Sequence, residues 1–212
     1  MSRFVKRETK MQAIETYFLP NKRSAAHKSI ERKTFLLHGL GGMGKTQLAV
    51  AFARNNCTEF SAVLWLDGSS IDRLKQSFMV VASGIPQDEL ITEITESLQV
   101  GNVDADLVVK GVLRWLSLPS NKHWLLIIDN VDRDWKATEK DPLAYDLIDY
   151  LPQGDHGSLL VTSRLAGRVN MFEAETHVGQ VDDAQARSIL ESNAGKEVGG
   201  TLTSNTDRTG LH

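Results

Sequence analysis

One stretch constrains this chain more than any other. Gly39-Leu40-Gly41-Gly42-Met43-Gly44-Lys45-Thr46 fits the phosphate-loop pattern G-x-x-x-x-G-K-[ST] at every fixed position. Thr34–His38 before it reads as a short buried strand, and Gln47–Arg54 after it as a helix. Strand, glycine-rich turn and helix is the context this motif needs. Phosphate oxygens require many donors packed closely. Backbone N–H groups supply them only where the chain curls inward, which Gly permits. A helix starting near Gly44 aims its free N–H groups and positive dipole end at the anion. Lys45 suits the β- and γ-phosphates, and the Thr46 hydroxyl suits Mg²⁺.

The rest of the chain reads as strands alternating with helices, which predicts an α/β fold of three layers, the P-loop NTPase fold, around a mostly parallel five-stranded sheet. Met11, Ile14 and Phe18 lie at helical spacing before Pro20, and residues 21–32 form a polar, basic connection. Ala62–Leu66 is expected as a second buried strand. A helix capped by Ser69 or Ser70 follows, with Ile71, Leu74 and Phe78 inward. A polar helical stretch is expected near residues 87–99. Val108, Val112, Trp115 and Leu116 mark the next amphipathic helix. Trp124–Ile128 is the most hydrophobic strand, Leu143–Leu151 a short helix, and Ser158–Thr162 a fourth strand. Thr176–Val178 is expected as a fifth strand and Asp182–Ser192 as a helix. From Gly195 onward there is almost no apolar content, so residues 195–212 are expected to be a disordered tail behind a domain of residues 1–194.

Composition narrows the function classes. The net charge is −3 with no strongly basic segment, which argues against a dedicated nucleic-acid binder. Lys22, Arg23, Lys28, Arg32 and Lys33 are read as a solvated loop. The single cysteine, Cys57, excludes an internal disulfide and a Cys-based zinc site, and is read as a small packing residue. No apolar run has the length of a membrane span, and the first residues hold no signal-peptide core, so the expected setting is the cytoplasm, with no membrane partner.

Metal-assisted hydrolysis needs an acid at the end of a neighbouring strand. Asp129 directly follows the apolar run 124–128, and parallel strands hold ligands at their carboxyl ends. It is therefore expected beside Lys45 and Thr46, with Thr46 and Asp129 as the metal ligands. Asn130 stands where many P-loop ATPases carry a second carboxylate. An amide orients water but cannot take its proton. Asp132 is either a substitute or a turn residue, and the turn reading is preferred. Arg164, at the end of Val161-Thr162-Ser163-Arg164, is either a γ-phosphate sensor or a surface residue, and Thr162 and Ser163 have similar standing.

With these residues placed, the chain resembles the NB-ARC branch of the STAND nucleotide-binding switch proteins, the NTPase modules of intracellular immune receptors and cell-death regulators. The resemblance rests on Gly39–Thr46, on Ala62–Leu66 with Trp65, on Leu125-Leu126-Ile127-Ile128-Asp129-Asn130, and on Gly157–Arg164. The wording is closest to the fungal NOD-like receptors and extends from about residue 3 to about residue 193. The family's pattern implies that Phe4, Val5, Arg7 and Glu8 match a start motif lying near the adenine and ribose, with Lys6 in place of its Gly. It also implies that Arg164 is the γ-phosphate sensor. Gly39, Gly41, Gly42, Met43, Gly44, Lys45, Thr46 and Gln47 would complete the nucleotide contacts, with Lys45, Asp129 and Arg164 the residues of any hydrolysis. Such modules hold ADP at rest, exchange it for ATP with Mg²⁺, and self-associate or engage protein partners. The family's helical subdomain and winged helix are not found in this sequence, so the reading is of a switch core without its lid. Three function classes stay open at this point: a nucleotide switch with weak ATPase activity, a fast P-loop ATPase or kinase, and a non-binding remnant that acts through protein contacts.

Overall fold

The computed structural model describes residues 7–20, 31–86, 88–90, 104–133, 145–166 and 171–180. The expected helices at 87–99 and 182–192, the tail from 195, and Phe4, Val5 and Lys6 lie outside them, apart from residues 88–90.

Five strands form one sheet in the order β2-β3-β4-β1-β5: β1 (Lys33–His38), β2 (Ala62–Asp67), β3 (Trp124–Asp129), β4 (Ser158–Ser163) and β5 (Ala174–His177). Every strand pair is parallel. β3 is buried at all six positions, because strands and helices enclose it on every side, as its unbroken apolar run requires.

Register explains the core. Leu66 pairs with Ile128, Ile128 with Val161, and Val161 with Leu36. These four fully buried residues form one row across a single face. Each contributes about 1.5–3 kcal/mol relative to an exposed side chain. Helices α3 (Ile71–Ser83) and α4 (Ala105–Leu116) cover this face through Leu74, Phe78, Val108, Val112 and Leu116. The opposite row, Trp65, Ile127, Leu160 and Phe35, follows from side-chain alternation. On that side Phe18 of α1 (Glu8–Phe18) stacks at 5.9 Å on Phe35 and 5.5 Å on Phe52 of α2 (Lys45–Asn56). Ser70 caps α3 by accepting the Arg73 N–H, and Asp104 caps α4 by accepting two N–H groups.

Several sequence expectations need correction. β2 is an edge strand, and Leu66 is its one buried residue, not a strand buried throughout. An apolar run shows that a strand has a buried face but does not reveal its place in the strand order. The segment before Pro152 is a 3₁₀ helix at Leu147–Tyr150, shorter than the helix expected from Leu143, with 143 and 144 outside the described residues. β5 begins two residues earlier than expected. Cys57 is exposed, on a 3₁₀ turn after α2, and does not pack. Two members of the basic connection are anchored, not solvated. The Lys33 ammonium donates to the Tyr17 and Phe18 carbonyls at 3.2 and 3.0 Å, closing the carboxyl end of α1 with a cation. Arg32 donates to the Pro152 carbonyl at 2.9 Å.

Candidate nucleotide site

The loop Gly39–Gly44 leaves the carboxyl end of β1 and enters α2. Its path depends on glycine at both ends. Gly39 has φ +143°, and a Cβ there would stand 2.3 Å from the Val178 carbonyl oxygen. Gly44, the residue before α2, sits in the left-handed region at φ +83°. Positive φ at Gly39, Gly42 and Gly44 gives the loop the curl in which backbone N–H groups can converge on an anion.

Lys45 is 8% exposed, and its ammonium donates to the Gly39 and Leu40 carbonyls at 2.7 and 2.9 Å. The cation thus bridges the two sides of the loop. Burial pulls its pKa below the usual lysine value. Asp132 and Asp129 partly counter this, while Arg164 adds to it.

The Thr46 hydroxyl lies 2.9 and 3.0 Å from the two oxygens of Asp129. Asp129 is 4% exposed. A buried carboxylate needs donors, and three surround it: the hydroxyls of Thr46 and Thr162, and the Asn130 amide at 3.2 Å. Thr162 also accepts the Asn130 N–H at 2.9 Å. Asn130 itself has φ +64°, a left-handed conformation that Asn tolerates better than most residues. Asp129 is therefore held by β4 as well as by its own strand. Thr162, which the sequence ranked with Ser163, is the residue that orients it. Ser163 instead donates to the Val131 carbonyl.

Asp132 is more than the turn residue expected. Its Oδ1 accepts the Arg164 backbone N–H at 2.7 Å, and its Oδ2 lies 2.7 Å from Arg164 Nε. The Arg164 guanidinium reaches over the loop, with Cζ and Nε 3.7 Å from where a Gly41 Cβ would be. The sequence carried no local signal for this pair, because its partners lie on the exits of different strands.

The remaining expected contacts divide. Gly41, Gly42 and Gln47 are exposed at the loop and first helical turn, and Met43 is half-buried. Arg7 is buried, its Nη1 donating to the Gly179 carbonyl at 2.7 Å, one residue beyond the Val178 that abuts Gly39. Phe4 and Val5 lie outside the described residues. Among the described residues, no helix is long and apolar enough to cross a membrane.

The sequence matches no protein-family model and no curated protein. Solved structures do match. The Orc1 protein of Aeropyrum pernix, solved in complex with DNA, aligns over 92% of this chain and 50% of its own at 18% identity, with a TM-score of 0.56. Cdc6p of Pyrobaculum aerophilum aligns over 92% and 51% at 13% identity and a TM-score of 0.55. The Aeropyrum pernix Orc2 protein, in ADPNP–ADP complexes, aligns over 89% and 52% at 15% identity and a TM-score of 0.56. The chain spans about half the length of these structures, and the likeness is one of fold. Parallel five-stranded sheet, flanking helices and glycine loop together make this an α/β fold of the P-loop NTPase type.

Proposed function

We propose that this chain is an adenine-nucleotide switch domain of the STAND type, binding ADP and ATP with Mg²⁺ and hydrolysing slowly if at all. The observation that carries this reading is the meeting of Thr46 and Asp129 at the carboxyl ends of parallel strands, next to a glycine loop bridged by Lys45. A hydroxyl and a carboxylate form the hard oxygen pair that suits Mg²⁺ beside substrate phosphates. Thr46 and Asp129 would hold such an ion, which would supply charge neutralisation to the bound phosphates. The loop N–H groups and Lys45 then bind and orient the phosphates, while Thr162 and Asn130 fix the Asp129 carboxylate. Arg164 is the candidate for reading the γ-phosphate, and Arg7 is a candidate for the nucleoside side of the site, as are Phe4 and Val5 from the family pattern.

Slow turnover follows from the residues after β3. Asn130 has no base function, and the Asp132 carboxylate is already engaged by Arg164. This favours a switch over a fast ATPase or kinase. The Orc2 structure, solved with ADPNP and ADP, supports adenine nucleotides as the ligand class for this fold. The Orc1 structure holds DNA, but the net charge of −3 here supports protein partners or self-association over nucleic acid. A cytoplasmic setting belongs to the same reading.

The test is the nucleotide released when the purified protein is denatured. Stoichiometric ADP supports the switch. An empty site that also shows no thermal shift with added ADP overturns it in favour of a remnant that acts through protein contacts.

A further inference from the structure

Asp132 and Arg164 form an ion pair that stability does not account for. Their side chains are 19% and 65% exposed, and pairs this open add little to folding. The geometry is nevertheless well defined. Val131 donates its N–H to the Thr162 carbonyl at 2.9 Å, and Ser163 donates to the Val131 carbonyl, so the exits of β3 and β4 are stitched together on either side of the pair. Gly39 donates to the Ser163 carbonyl at 3.2 Å, tying the loop to the same exit. Asp132 takes the Arg164 backbone N–H with one oxygen and Nε with the other. That leaves Nη1 and Nη2 without a hydrogen-bond partner among the described residues, with Nη1 3.9 Å from where a Gly41 Cβ would be.

Resting on the nucleotide-switch reading above, we propose that Asp132 is a positioning residue that sets how strongly the site prefers a nucleoside triphosphate over a diphosphate. It clamps Arg164 by Nε and backbone N–H, so that the two terminal nitrogens form a fork for the γ-phosphate. A guanidinium fixed at Nε keeps its paired Nη donors for a phosphate, the bidentate arrangement in which Arg excels. The clamp has a second consequence. Asp132 Oδ2 lies 2.7 Å from Arg164 Nε, and that guanidinium stands beside Gly41 of the loop, so the negative charge of Asp132 is felt at the phosphate site unless Arg164 neutralises it. Removing Arg164 alone exposes that charge to the γ-phosphate, and removing both relieves it.

The experiment is calorimetric titration of the full chain with Mg-ADP and with a non-hydrolysable ATP analogue, in wild type, Asp132→Asn, Arg164→Lys, Arg164→Ala and the Arg164→Ala/Asp132→Asn double variant. Asn keeps an oxygen for the Arg164 N–H but loses the charged partner for Nε. The proposal expects the analogue-to-ADP affinity ratio to fall about tenfold in Asp132→Asn and in Arg164→Lys. It also expects the double variant to bind the analogue more tightly than Arg164→Ala does. If Asp132→Asn fails to fold, as thermal melting will show, Asp132→Ser carries the test of the clamp, with the same fall in the ratio expected. An unchanged ratio in the folded variants, or a double variant no better than Arg164→Ala, assigns Asp132 to the turn and overturns the proposal while the switch reading stands. A wild-type chain that binds neither nucleotide overturns both.

Discussion

The Thr46 hydroxyl and the Asp129 carboxylate, 83 residues apart in sequence, meet at 2.9 Å where β3 ends and α2 begins. Neither residue has a reason to be there from packing alone. Asp129 is a buried carboxylate at the end of the most apolar strand, held by three neutral donors. On the proposed reading, a hard cation would take one ligand from the first turn of α2 and one from the end of β3, which is separated from β1 by β4 and so is not the adjacent strand the sequence suggested.

Asp129→Asn tests that role while retaining an oxygen for Thr46 and Thr162. Mg-dependent ADP binding should weaken, and binding measured in EDTA should stay close to wild type, because the carboxylate is placed for the metal and not for the phosphates. An equal loss with and without metal would make Asp129 a structural residue.

Lys45→Ala should reduce ADP affinity by about 1.5–3 kcal/mol, the range for hydrogen bonds to charged groups. The ammonium is the binding form. Burial holds its pKa below that of a solvated lysine, so wild-type affinity should decline as pH rises, and the decline should begin below the ordinary lysine range near about 10.4. Calorimetry across the alkaline range checks the sign. Lys45→Ala should show no such decline, and a parallel decline in that variant would assign the pH dependence to another group.

Much of this site was legible in the sequence because its signals are local. Gly39–Thr46 states its own backbone path, and Trp124–Ile128 followed by Asp129 states a buried strand with an acid at its end. What was not legible depends on contacts between distant segments. The edge position of β2 is set by strand order, which periodicity does not encode. The engagement of Asp132 with Arg164 joins residues 32 apart through two strand exits. Lys33 caps α1 only because the sheet brings it beneath Phe18. Local turn propensity made Asp132 look ordinary, and tertiary placement overrode it.

Gly39→Ala should disrupt both the fold and the site. A methyl group there meets the Val178 carbonyl oxygen at 2.3 Å, at a φ of +143° that L side chains rarely adopt. Strain of this kind costs about 1–3 kcal/mol from the backbone conformation alone. Thermal melting should show a clear drop in Tm and calorimetry a loss of ADP binding. A variant with wild-type Tm would mean that the loop relaxes away from Val178 at no cost.

The central claim is that the glycine loop, Lys45, Thr46 and Asp129 form a working nucleotide site. Thermal unfolding of the wild-type chain in an Mg-ADP titration, with GDP and inorganic phosphate as controls, tests it most directly. The account predicts saturable stabilisation by ADP that exceeds both controls. At one hundred times the dissociation constant it should reach about 2.7 kcal/mol, or roughly 5–10 °C for a domain of this size. No shift at millimolar ADP, or a shift equal to that given by phosphate alone, would contradict it.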